Sequence, residues 1–123
     1  MNNNEIESLF DDCNSALQKG DAKQVAALYA CNATLLPTIS NKVRHNKEEI
    51  ENYFVEFLRR GPSGKIDESN VRLFEQLAIN SGVYTFSFNN GMSVTARFTF
   101  VYHWNNERWE ILEHHSSQMP EQL

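Results

Sequence analysis

The residues best suited to chemistry lie near the C-terminal end, in the stretch ARFTFVYHWNNERWEILEHHSS. Adjacent His114 and His115 invite a metal-centre reading. Neighbours on a strand point to opposite faces, so the two imidazoles cannot ligate one ion without a bulge between them. Cys13 and Cys31 have no His or Cys partner at ligand spacing. No metal site and no cofactor is expected. Acid–base chemistry is the next option, with His115 as the candidate catalytic residue. His115 shares its strand face with Trp109, Ile111, Glu113 and Ser117. A histidine there is either the base of a pocket or a hydrogen-bonding group at the pocket's open end. Arg97 sits mid-strand between Ala96 and Phe98, where an arginine is costly unless paired or wet. Inside a pocket it would favour an anionic or carbonyl-bearing ligand. On the outer face it would form an ion pair at a subunit contact.

Strand register decides between these. A two-residue turn at Asn90-Gly91 places Tyr84 opposite Arg97. A two-residue turn at Asn106-Glu107 places Phe98 opposite His115. Under both registers Arg97 and His115 fall on opposite faces, and a one-residue bulge in either hairpin unites them. The expected ligand-binding set is Tyr84 and Arg97 as polar anchors, His115 at the rim, and Tyr53 and Trp109 as walls.

The elements that must position these residues are legible from periodicity. Ile6, Leu9, Phe10, Cys13, Ala16 and Leu17 recur at helical spacing, predicting a helix over 5–19 that Gly20 ends. Asp21 is the N-cap of a second helix carrying Val25, Leu28 and Tyr29 on its inner face. The segment ATLLPT is short and extended. Asn46 caps a third helix, with Glu49 at the capping-box position and Ile50, Tyr53, Phe54, Phe57 and Leu58 as its apolar stripe. Gly61-Pro62 stops it.

Beyond GPSGK the period changes from 3.6 to 2. Alternation predicts a strand through Val71–Ile79, a turn at Ser81-Gly82, then strands through Val83–Phe88, Val94–Trp104 and Trp109–Ser117. Helices followed by an antiparallel meander define an α+β chain, read as one domain over residues 1–123. The row Phe98, Phe100, Tyr102 and Trp104 is either core beneath the helices or an aromatic subunit interface.

Composition excludes several classes. The formal charge is −5, from 11 basic and 16 acidic residues, which argues against a nucleic-acid partner. No apolar run reaches the roughly 20 residues of a membrane span. The N-terminal MNNNEIESLF lacks a basic region and an apolar core, so a cytoplasmic location with two reduced thiols is expected. Ser-His-Asp order, a phosphate-binding glycine loop and a dinucleotide fingerprint are all missing.

Several stretches together resemble the nuclear transport factor 2-like superfamily. They are Arg97-Phe98-Thr99-Phe100-Val101-Tyr102, Trp109 with Ile111, His114-His115-Ser116-Ser117, Met119-Pro120, and ALQKGDAKQVAALYACNATLLP. The resemblance is greatest to the SnoaL-like branch, which includes the association domain of calcium/calmodulin-dependent protein kinase II and related small bacterial proteins. It implies a cone-shaped, cystatin-like α+β fold, with three N-terminal helices packed on a strongly curved, mainly antiparallel sheet. It further implies an interior pocket for a small organic ligand and a homodimer, or a larger ring, formed through the outer sheet face. Phe100 and Ser116 stand where the kinase association domain has pocket arginines. Two alternatives accompany the ligand-binding reading. One is an oligomerisation module without ligand chemistry. The other is an isomerase or dehydratase using a histidine base.

Overall fold

The structure, a computed structural model, describes residues 2–122. Helix α1 (Asn3–Lys19) starts at Asn2, whose side chain accepts a hydrogen bond from the Glu5 amide, and ends at Gly20 with φ +72°. A left-handed residue at this position is cheap only without a Cβ. Asp21 caps α2 (Ala22–Ala26), accepting from the amides of Lys23 and Gln24. The second helix is shorter than its apolar pattern suggests. Tyr29, expected on its inner face, instead opens strand β1 (Tyr29–Leu36). Asn46 caps α3 (Lys47–Phe57) by accepting from the Glu49 amide. The Glu49 carboxylate turns back onto His45, accepting from its amide at 2.9 Å, rather than onto Asn46. A single 3₁₀ turn, Leu58–Arg60, carries the chain to Gly61.

Four long strands follow: β2 (Ser63–Leu73), β3 (Leu77–Ser87), β4 (Ser93–Trp104) and β5 (Trp109–Gln118). They pair antiparallel in sequence order, and β1 adds in parallel to β5, giving one mixed sheet of order β1-β5-β4-β3-β2. The first turn of the meander is not at Ser81-Gly82. It lies at Phe74–Gln76, where the Phe74 amide bonds the Leu77 carbonyl at 2.8 Å. GPSGK likewise ends in strand, since Ser63 opens β2.

Gly82 marks a close approach instead of a turn. The β2–β3 register slips between Ile66 and Glu68, and the bulge pushes the Glu68 carbonyl toward Gly82. A Cβ there would stand 2.0 Å from that oxygen. Backbone cannot yield as a side-chain tip can, so Gly82→Ala should cost about 2–3 kcal/mol as overpacking. Urea unfolding at constant pH reads this. A change below about 0.5 kcal/mol would mean the bulge relaxes freely.

The helices cover one face of the sheet. Phe10 of α1 lies 6.0 Å from Tyr84, 6.3 Å from Phe86 and 6.4 Å from Phe100, ring centre to ring centre. Phe98, Phe100 and Tyr102 are all buried on this inner face, as core beneath the helices. No described helix is long and apolar enough to cross a membrane.

Candidate functional site

Two local details of the meander decide which side chains meet. The β3–β4 loop holds three residues, Asn89, Asn90 and Gly91, because the Phe88 amide bonds the Met92 carbonyl. Gly91 takes φ +84°, which suits a type I turn closed by a left-handed residue. One extra loop residue slips the register by one. Tyr84 therefore faces Ala96, and Arg97 pairs with Val83. At the second hairpin the expected two-residue loop forms, with Asn106 at φ +79° and Trp104 opposite Trp109. The register then shifts within β5 at Leu112, so that Phe98 faces Ser116 and Phe100 faces His114.

The consequence for the expected site is direct. The bulge does unite Arg97 and His115, but on the outer face, where both are exposed. They lie outside the cavity, which corrects their expected placement as pocket anchor and rim. Trp109 is buried against Trp104 and does not line the cavity either. Its indole N–H has no hydrogen-bond partner among the described residues. Tyr53 and Tyr84 do line it.

The cavity has a volume of about 560 Å³ and lies between α1, α3 and the inner sheet face. Phe10, Tyr53, Phe54, Phe57, Phe86 and Phe88 supply aromatic wall. Arg59 and Arg60, both exposed, stand at its mouth with Asn89 and Met92. Arg59 is paired with Glu56 at 3.2 Å. The Arg60 guanidinium lies 6.0 Å from the Phe88 ring centre. Arg44 sits 5.0 Å over Tyr53.

Inside, five polar side chains form an unbranched chain. Tyr29 Oη lies 2.9 Å from His114 Nδ1, and Tyr84 Oη lies 3.0 Å from His114 Nε2. Tyr84 donates to Ser116 Oγ at 2.6 Å, and Ser116 Oγ in turn bonds Thr38 Oγ1. These contacts fix the proton positions. Tyr84 has one proton and gives it to Ser116, so it accepts from His114 Nε2–H. His114 Nδ1 then accepts from Tyr29. The ring also stacks on Phe100, centres 4.0 Å apart. Burial, with the nearby His115 adding to it, lowers the His114 pKa from 6.5 to about 3. His114 is therefore neutral at physiological pH, in agreement with the bonding pattern.

The same burial raises the phenols of Tyr29 and Tyr84 well above their ordinary range, and lifts Tyr53 to about 12. Burial, and secondarily Asp12, lifts the Cys13 thiol to about 12, so it stays a protonated wall group. Cys31 is exposed and unbonded. Among the described residues no cluster of three His, Cys, Asp or Glu side chains could hold a metal ion.

Sequence reasoning passed over Ser116, Tyr29 and Thr38, and set His114 aside in favour of His115 as the pocket histidine. One signal pointed to them. Strict alternation puts Glu113 on the buried face with Trp109 and Ile111, an expensive place for a carboxylate. The bulge at Leu112 expels Glu113 to the exposed side and turns His114 inward.

An α+β fold of this kind, with helices over a five-stranded mixed sheet and a cavity between them, defines the nuclear transport factor 2-like, cystatin-like class. The family profile of the calcium/calmodulin-dependent protein kinase II association domain matches residues 2–120, and the chain belongs to that family. It is similar to the crystal structure of a putative association domain of this kind from Xanthomonas campestris. The identity is 48%, the TM-score 0.92, and 95% of this chain and 87% of that one are covered. A nuclear transport factor 2-like protein of unknown function from Pseudomonas putida shares the fold at 16% identity and TM-score 0.82, over 98% and 90% of the two chains. A superfamily member from Salmonella enterica does so at 17% identity and TM-score 0.78, over 94% and 89%. No curated protein matches the chain.

Proposed function

We propose that this protein is a homodimer that binds a small, largely apolar organic molecule in its interior cavity. The observation that supports this is the cavity itself. Protein interiors are close-packed, with few voids larger than a water molecule. A space of about 560 Å³ with aromatic walls and a few convergent polar groups has the size and make-up of a ligand pocket. The anchors in this reading are Tyr84, His114 and Ser116, with Tyr53 as a wall. Arg97 and His115 belong to the outer face.

Binding is favoured over turnover. An isomerase or dehydratase needs a free base beside its substrate. The cavity lining includes no carboxylate, and both nitrogens of His114 are already bonded.

The homodimer reading rests on the outer sheet face. Ile79, Val83 and Val101 are half-buried there, with Arg97, Glu113 and His115 exposed around them. An apolar patch rimmed by charge is what a subunit contact uses. The family's name, association domain, favours a second reading in which assembly is the whole function.

Native mass spectrometry of the purified chain under mild activation separates these readings. The expected result is a dimer that sheds a small organic mass. Val101→Glu, which puts a charge mid-face, should shift the dimer to monomer at micromolar concentration. A bare dimer or ring that also fails to bind apolar probes would leave assembly alone as the function. A wild-type monomer would refute the dimer.

A further inference from the structure

The polar chain in the cavity has a proton count that does not close. Its five members each carry one exchangeable side-chain proton: Tyr29, neutral His114, Tyr84, Ser116 and Thr38. Four hydrogen bonds join them end to end. Each bond uses one proton, so one is left over. The direction of the chain locates it. Tyr29 donates to His114, His114 to Tyr84, and Tyr84 to Ser116. Ser116 and Thr38 then hold two protons and share one bond. Whichever of them donates to the other, one hydroxyl proton at this end has no acceptor among the described residues. Both side chains line the cavity. Every upstream bond points the same way, so each polarises the next and strengthens the final donor.

We propose that the Ser116–Thr38 pair is the recognition element of the pocket. It takes an apolar ligand that presents an uncharged acceptor oxygen, of the ketone or ester carbonyl class, to this single donor. This rests on the ligand-binding reading above and refines it. The chain carries no formal charge, so it offers a carboxylate no counter-ion at this point. A carbonyl oxygen takes that spare proton without bringing a proton of its own that must find an acceptor in the cavity. Aromatic walls accept the rest of the molecule without further hydrogen bonds.

The test uses two probes of nearly equal shape, 2-acetylnaphthalene and 2-ethylnaphthalene. Binding to the full chain is followed by amide chemical shifts. The ketone should bind about fivefold tighter, the worth of one net hydrogen bond. A purely apolar cavity would prefer the hydrocarbon. Carbonyl-labelled ketone, read by isotope-edited infrared spectroscopy, should absorb at lower frequency in the complex than in cyclohexane. Thr38→Val/Ser116→Val/Tyr84→Phe removes both hydroxyls and the phenol that would otherwise become the free donor once Ser116 Oγ is gone. It should abolish that shift and reverse the preference. If this variant does not fold, Tyr53→Phe decides the matter: it removes the one phenol of the lining that is unbonded among the described residues and should leave the ketone preference and the carbonyl shift intact, and their loss would overturn the assignment to Ser116 and Thr38. Equal or hydrocarbon-favouring binding with an unshifted carbonyl overturns the carbonyl proposal and leaves the pocket standing. Binding of neither probe overturns the pocket reading and this refinement together.

Discussion

Acidification from pH 7 to pH 4.5 should cost the folded protein roughly 2.5 kcal/mol through His114 alone. The folded pKa of about 3 lies below the ordinary 6.5. The unfolded chain therefore binds a proton across this window that the native state refuses. The stabilisation is fully present above pH 6.5 and is lost progressively as pH falls toward 3. The physical cause is burial. A charged imidazole facing Phe100 would have no counter-ion, and Nδ1 would lose the bond it accepts from Tyr29. His114→Gln keeps a donor and an acceptor but cannot titrate. Urea unfolding of both proteins at pH 7 and pH 4.5, at fixed protein concentration, should show the wild type losing about 2.5 kcal/mol more than the variant. Equal losses would mean that His114 is hydrated or charged in the native state.

Phe100→Ala should be the most damaging single truncation, at about 3–5 kcal/mol. The side chain is 1% exposed and sits mid-strand at the centre of the inner face. Its ring meets Phe10, Phe98, Tyr102 and His114, with centres 6.4, 5.4, 5.5 and 4.0 Å away. Removing it loses the transfer energy of the ring and opens space that the rigid sheet cannot collapse to fill. It also strips the stacking surface from His114, so probe binding in the cavity should weaken with stability. Arg97→Ala, three residues earlier on the opposite face, should change monomer stability by less than about 0.5 kcal/mol. Thermal and urea unfolding of the two variants measured together checks both. Comparable losses would mean that the inner and outer faces of β4 have been exchanged.

That contrast shows how far the sequence reaches. The helices are legible because their signals are local. A 3.6-residue stripe, an Asn or Asp cap and a left-handed glycine each act within one or two turns, so α1 and α3 fall where the pattern puts them. The family resemblance, carried by residues 97–102 and 114–120, holds for the same reason: it is written in contiguous residues. The chain's α+β order is legible because beyond Gly61 the 3.6-residue period gives way to alternation for the rest of the sheet. The turn at Phe74–Gln76 escapes because Gly82 imitates a turn while serving a bulge, and only the neighbouring strand reveals the Glu68 carbonyl beside it.

The site itself was decided in three dimensions. Sequence determines that β4 and β5 each have two alternating sets of side chains, and which residues belong to each set near a turn. It does not determine which set faces the helices. Side chains alternate with a period of two, so one added residue inverts every one beyond it. A third residue in the β3–β4 loop turned Arg97 outward, and the bulge at Leu112 exchanged His115 for His114. Both choices follow from burying Phe98, Phe100 and Ile111 beneath α1 and α3 while expelling Arg97 and Glu113 to solvent. That balance is struck across the whole sheet, and it sets the Tyr29–His114–Tyr84–Ser116–Thr38 chain inside the cavity.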